Sequence, residues 1–158
     1  WCIRNYYREV LKKMYSFDYK KRVRYGETDQ MGYLYYGNYA QYYEIGRVEL
    51  IRSLGITYKQ MEEDWKIMMP VASMEVKYLR PVFYDEEITI RTIINELPEK
   101  FVNFNCELYN EAGKLVNAAK VRLCFVDMEK GKTCPKAPTQ LIEKLQSVFE
   151  QKKDKKYV

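Results

Sequence analysis

The 158-residue chain contains no histidine. That removes the Ser-His-Asp and Cys-His arrangements that activate a nucleophile. It also removes zinc sites with histidine ligands and imidazole acid–base chemistry near neutral pH. Any catalysis falls to Asp, Glu, Tyr, Cys, Lys or backbone amides. The four cysteines, Cys2, Cys106, Cys124 and Cys134, form no C-x-x-C pair. A reduced, cytoplasmic protein with free thiols is the expectation. No apolar run approaches the ~18–20 residues of a membrane span. The opening "WCIRNYYREVLKKM" carries charges through its middle, where a secretory signal has its apolar core. No internal repeat, low-complexity segment or linker interrupts residues 15–150.

The formal net charge is +5, but its distribution points away from nucleic acid. Residues 1–25 hold eight basic and two acidic groups, and residues 150–158 hold four basic and two acidic. The body between them is left mildly acidic, so no basic face is built into the fold. The chain opens with Trp, and Met14 is a candidate natural start. Residues 1–14 are therefore read as an N-terminal extension and 15–158 as one domain ending in a helix. With 47% apolar residues, that length is enough for a single real core.

The hydrophobic pattern predicts an α+β chain. "FDYKKRVRYGE" (17–27) reads as a strand, with Phe17, Tyr19, Val23 and Tyr25 in rough alternation. "TDQMGYLYYG" (28–37) reads as a loop with two glycine hinges. Residues 38–55 read as a long helix, with Asn38 as N-cap and Gly55 just past its end. Its apolar stripe is Tyr39, Tyr43, Val48, Leu50, Ile51 and Leu54. Gly46 in its middle costs ~1 kcal/mol against Ala, which a close approach by another backbone would explain. Residues 57–65 read as a short helix capped by Thr57. Long strands follow at 67–84 (stopping at Pro81), 86–97, 100–111 and 114–129, and then a helix at 139–153 capped by Thr139. One apolar face of that antiparallel sheet needs a cover, and helix 38–54 is the only long central element available.

Asp29 is the leading candidate for chemistry. It sits on the loop entering that helix, beside Gly32. A helix N-terminus offers unpaired N–H groups that can polarise a carbonyl, and a nearby carboxylate can attack it or activate water. The same position also suits an ordinary turn or cap aspartate. Tyr33, Tyr35, Tyr36 and Tyr39 read either as pocket lining or as aromatic core. "GKT" (131–133) lacks the P-loop's first glycine, since Val126 stands there, and prolines follow. The acidic runs at 62–64 and 85–87 read as solvated turns, and no metal site is expected.

Residues 22–55, "RVRYGETDQMGYLYYGNYAQYYEIGRVELIRSLG", resemble the hot-dog-fold acyl-CoA thioesterases, in particular the 4-hydroxybenzoyl-CoA thioesterase and YbgC-like branch. The shared elements are Thr28-Asp29, Gly32, the aromatic turn, and Tyr39, Tyr42, Glu44 and Arg47 on the helix. "VKYLRPVFYDE" (76–86) resembles the family's later strand and Pro-containing turn. The resemblance implies a hot-dog fold, a sheet wrapped round one helix, and hydrolysis of an acyl-CoA without cofactor. It implies Asp29 as catalytic carboxylate and the Tyr36 N–H as the group that polarises the thioester, with Gly32, Tyr33, Tyr35 and Tyr39 around the substrate. Many YbgC-like members carry His, and others Tyr, where this chain has Tyr36. It also implies a homodimer or homotetramer with sites between subunits. From the charge distribution and the lack of a long apolar run, neither nucleic acid nor a membrane is expected as a partner. The rival readings are a thioesterase acting on acyl-carrier protein and a non-catalytic binder of acyl-CoA or RNA.

Overall fold

The computed structural model describes Ile3 and residues 14–154. The expected extension at 1–14 thus lies, apart from Ile3 and Met14, outside the described residues. In chain order the elements are β1 (Tyr15–Arg22), a 3-10 turn (Tyr25–Glu27), a second 3-10 turn (Tyr36–Asn38), α1 (Tyr39–Ser53) and α2 (Tyr58–Glu63). Then come β2 (Ile67–Met68), β3 (Val71–Tyr78), β4 (Glu87–Ile94), β5 (Phe101–Tyr109), β6 (Leu115–Cys124), β7 (Val126–Asp127), β8 (Lys132–Thr133) and α3 (Thr139–Asp154). Five strands form an antiparallel sheet in the order β1-β4-β5-β6-β3, and β2, β7 and β8 form a small second sheet.

Strand alternation decides which face meets the helix. Ile88, Ile90, Thr92 and Ile94 of β4 are fully buried, as are Val102, Phe104, Cys106 and Leu108 of β5. Val121 and Leu123 continue that face across β6. Against it lie Tyr42, Tyr43, Leu50 and Ile51 of α1, so the sheet wraps the helix as expected. Val48, assigned to the stripe, is only half-buried, whereas Tyr42 and Arg47 are buried. Gly46 does mark a close approach, but side chains make it. A Cβ there would meet Ile90 Cγ2 at 2.7 Å and Thr92 Oγ1 still closer.

The helix ends by a Schellman arrangement. Gly55 has φ +81°, its N–H donates to Arg52 C=O (3.0 Å), and Ile56 N–H donates to Ile51 C=O (3.4 Å). The start differs from expectation. Asn38 is already helical, and its Nδ2 donates to Glu27 C=O at 2.9 Å instead of its side chain capping the helix. Thr57 caps α2 as expected, accepting from Gln60 N–H at 3.0 Å. Thr139 is the first residue of α3, where a cap had been read.

Three strand boundaries also differ. Residues 17–27 do not form one strand. The β1–β4 ladder ends at Arg22 opposite Glu87, and Tyr25–Glu27 turns away. Residues 67–84 divide at Pro70, which has no N–H for a ladder, and β3 stops at Tyr78, before Pro81. Residues 114–129 divide at Phe125, beyond which the chain pairs with β2 and β8. The edge strand β3 is exposed along nearly its whole length, with Val71, Met74 and Tyr78 each about half exposed.

Candidate active site

Asp29 closes a tight turn. Its N–H donates to Tyr33 C=O (2.9 Å), and its C=O accepts from Gly32 N–H (3.0 Å). Gly32 has φ +78°, a left-handed conformation that favours glycine. Thr28 and Leu34 then pair across the turn's base. Asp29 as a whole is half-buried. Its Oδ1 accepts from Met31 N–H (2.9 Å) and Tyr33 N–H (3.2 Å), the Asx-turn pattern. Asp29 is therefore a turn residue through Oδ1, with Oδ2 left without a donor among the described residues.

Three residues after Gly32 the chain reaches the helix. Leu34 is buried and its N–H donates to Val82 C=O at 2.6 Å. Tyr35 is the N-cap, with extended backbone, and the 3-10 turn Tyr36–Asn38 runs directly into α1. Asn38 N–H donates to Tyr35 C=O at 2.9 Å. The preceding amides, Tyr36 N–H and Gly37 N–H, have no intrahelical acceptor by helix geometry. Among the described residues no other acceptor meets them.

The tyrosines divide into different roles. Tyr39 is buried and packs edge-on against Tyr78, ring centroids 5.1 Å apart. Burial pushes its hydroxyl up to about 12, with Tyr78 and the Asp29 charge adding to the effect. Tyr35 and Tyr36 are exposed, their ring centroids 4.7 Å apart. The Tyr35 hydroxyl is raised, first by Tyr36 beside it and last by the Asp29 charge. The Tyr35 ring lies over Gly37, where a Cβ would come within 2.7 Å of it. Tyr33 stacks edge-on with Phe83 at 5.3 Å. Asp29, Tyr35, Tyr36 and Tyr39 thus gather at one helix entrance. Gly32 contributes backbone shape, and its amide is already bonded. Tyr78, from β3, donates its hydroxyl to Tyr36 C=O at 3.3 Å. Among the described residues no three Cys, Asp or Glu side chains converge as a metal-binding set, and no helix is long and apolar enough to cross a membrane.

Sequence reasoning missed Glu27. Its Oε1 accepts from Lys21 Nζ (2.8 Å), Arg24 N–H (2.8 Å) and Tyr42 hydroxyl (3.0 Å). Its C=O accepts from Tyr35 N–H and from Asn38 Nδ2, both at 2.9 Å. Burial alone would raise this carboxyl, but the Lys21, Arg24 and Tyr42 donors outweigh it and hold the group below the ordinary value of 4.5. Its donors come from β1, from the loop and from a helix residue fifteen positions on, so no local motif announces it.

A profile of the thioesterase-like superfamily matches residues 23–145. The chain belongs to that superfamily. Curated relatives agree. YneP of Bacillus subtilis, named "putative acyl-CoA thioesterase", is 37% identical over 108 residues, covering 68% of this chain and 77% of its own. The acyl-CoA thioester hydrolase YbgC of Escherichia coli is 28% identical over 111 residues, covering 70% and 82%. Among solved structures, the DHNA-CoA thioesterase of Staphylococcus aureus superposes with a TM-score of 0.78 at 26% identity, covering 90% of this chain and 96% of its own. The fold is the hot-dog fold.

Proposed function

We propose that the protein hydrolyses an acyl-CoA to a free carboxylic acid and CoA, with Asp29 and the Tyr36 N–H as its catalytic groups. The carrying observation is the half-used carboxylate of Asp29, one oxygen held by two amides and the other free, beside a helix entrance with open amides. The names of YneP and YbgC support the substrate class.

In this reading the thioester C=O accepts from Tyr36 N–H, which stabilises the charge that develops on that oxygen. Asp29 Oδ2 attacks the carbonyl carbon, or takes a proton from a water that does. The C–S bond breaks and the leaving thiolate takes a proton to give CoA. Where Asp29 has attacked, water then cleaves the acyl–Asp29 anhydride; by either route water supplies the oxygen of the new acid and the Asp29 carboxylate is restored. No metal or cofactor enters the step. Tyr33, Tyr35 and Tyr39 border the acyl group, and Gly32 shapes the turn beneath it. The protein works as a homodimer or homotetramer. The exposed edge strand β3, with Val71, Met74 and Tyr78, supports that association. A cytoplasmic setting is supported by three unpaired thiols, Cys106, Cys124 and Cys134.

Asp29→Asn tests the assignment, since Asn keeps an acceptor for the Met31 and Tyr33 amides but cannot act as nucleophile or base. A kcat loss of about 10²-fold or more is expected. Tyr36→Phe, which leaves the backbone N–H in place, is expected to retain activity. An Asp29→Asn enzyme that turns over like wild type sinks the assignment. Activity on carrier-linked but not CoA-linked thioesters would shift the substrate to acyl-carrier protein.

A further inference from the structure

We propose that Glu27 is a positioning residue, a clasp that fixes the Asp29 turn against the helix entrance. The proposal rests on the catalytic reading of Asp29 and Tyr36 given above. Asp29 and Tyr36 lie seven residues apart, on two arms of one excursion from the sheet. A thioester held between them reacts only if both arms keep their spacing, because a 1 Å misplacement costs about 10²-fold in rate. The turn itself closes only residues 28–34. Leu34 N–H to Val82 C=O and the Tyr33–Phe83 bridge tie that turn to residues 82–83 but not to α1.

Glu27 supplies that missing constraint with both its main chain and its side chain. Its C=O accepts from Tyr35 N–H and Asn38 Nδ2, which flank Tyr36. Its carboxylate accepts from Tyr42, one helical turn past Asn38, so two successive turns of the helix are held. Lys21 and the Arg24 amide secure the same oxygen on the strand side. Tyr42 is fully buried and Glu27 half-buried, so their bond lies partly out of water. Two residues beyond Glu27 stands Asp29. The clasp thereby sets the distance between carboxylate and amide without touching substrate.

The arrangement separates positioning from mere stability. Glu27→Gln keeps an acceptor for Tyr42 and Arg24 N–H and loses only the Lys21 ion pair. It is expected to hold kcat within about three-fold. Glu27→Ala loses every side-chain bond and is expected to lower kcat about ten-fold or more, with KM within about two-fold. Tyr42→Phe removes only the carboxylate's bond to the helix and should lower kcat several-fold. Combined with Glu27→Ala it should add little, because both act through one contact. Ile142→Ala, in the C-terminal helix α3, where Ile142 packs against the core, serves as the stability control, with a lower Tm and unchanged kcat.

Amide hydrogen exchange gives a readout independent of turnover. In Glu27→Ala and Tyr42→Phe the hydrogen-bonded amides of residues 28–35 and of Asn38 should exchange about ten-fold faster, and those of β5 should not. If Glu27→Ala does not fold, Tyr42→Phe carries both measurements. The clasp is overturned if these variants match wild type in kcat and exchange, or if they behave like Ile142→Ala. Asp29→Asn, run beside them, separates the two claims. An inactive Asp29→Asn with a fully active Glu27→Ala overturns the clasp alone. A fully active Asp29→Asn overturns the catalytic reading, and exchange then decides whether Glu27 still orders the loop.

Discussion

Gly46→Ala sets helix propensity directly against packing. In an exposed helix the change would stabilise by about 1 kcal/mol. At position 46 the new methyl would lie 2.7 Å from Ile90 Cγ2 and nearer still to Thr92 Oγ1. Ile90 and Thr92 are both fully buried in β4, so neither can swing into solvent. Relief requires α1 to lift from the sheet. Overpacking of this kind costs about 1–3 kcal/mol, and two simultaneous contacts place it at the upper end. The net is a loss of about 2 kcal/mol once propensity is deducted. For a chain of this size that lowers Tm by about 4–8 °C. Thermal and urea unfolding followed by circular dichroism measure it. Adding Thr92→Ala should restore part of the loss, since it removes the nearer obstacle and deletes a hydroxyl that has no partner. A Gly46→Ala protein as stable as wild type or more so would refute the reasoning, because propensity would then have won.

Two further outcomes follow from single residues. The Glu27 carboxyl is held below its ordinary 4.5 in the folded state, so its ionised form contributes stability that is fully present above that value. That contribution is lost as pH falls through 4.5 toward the folded value. The stability gap between wild type and Glu27→Gln in urea should therefore be constant from pH 6 to 8 and shrink below about pH 4.5. A gap independent of pH would contradict the ion-pair account. Cys106 lies buried in β5, and burial pushes its thiol up to about 12. Cys106→Ser should leave the thiols that react with an aromatic disulfide in the native protein unchanged and lower the count by one in denaturant. A drop in the native count would show that Cys106 is reachable.

What the sequence disclosed follows where its constraints were local. The periodicities of α1 and of β4 to β6 were legible because each element buries one face against the other. Gly55 was legible because a left-handed residue after a helix needs glycine, and Gly46 because glycine inside a long helix asks for a neighbour. The exposed edge β3 has no buried face, so nothing in its alternation marks its ends, and Pro70 is the local signal of its start. Residues 23–27 carry strand-like spacing, yet Glu27 bends them away by bonding to Arg24 N–H and Tyr42. Asn38 looked like a cap, but Glu27 C=O claims its side chain from eleven residues away. These are tertiary contacts, invisible to spacing. At the candidate site, Asp29 and the tyrosines were legible from the helix entrance and the resemblance, whereas Glu27 and Tyr78 act across elements and left no local pattern.

The central claim is that this histidine-free chain cleaves acyl-CoA with Asp29. The measurement that meets it most directly is release of free thiol from short, long and aromatic acyl-CoAs, wild type beside Asp29→Asn. The account predicts turnover by the wild type on at least one member, reduced about 10²-fold or more in the mutant. Equal turnover by the two proteins, or none by wild type on any acyl-CoA, would contradict it.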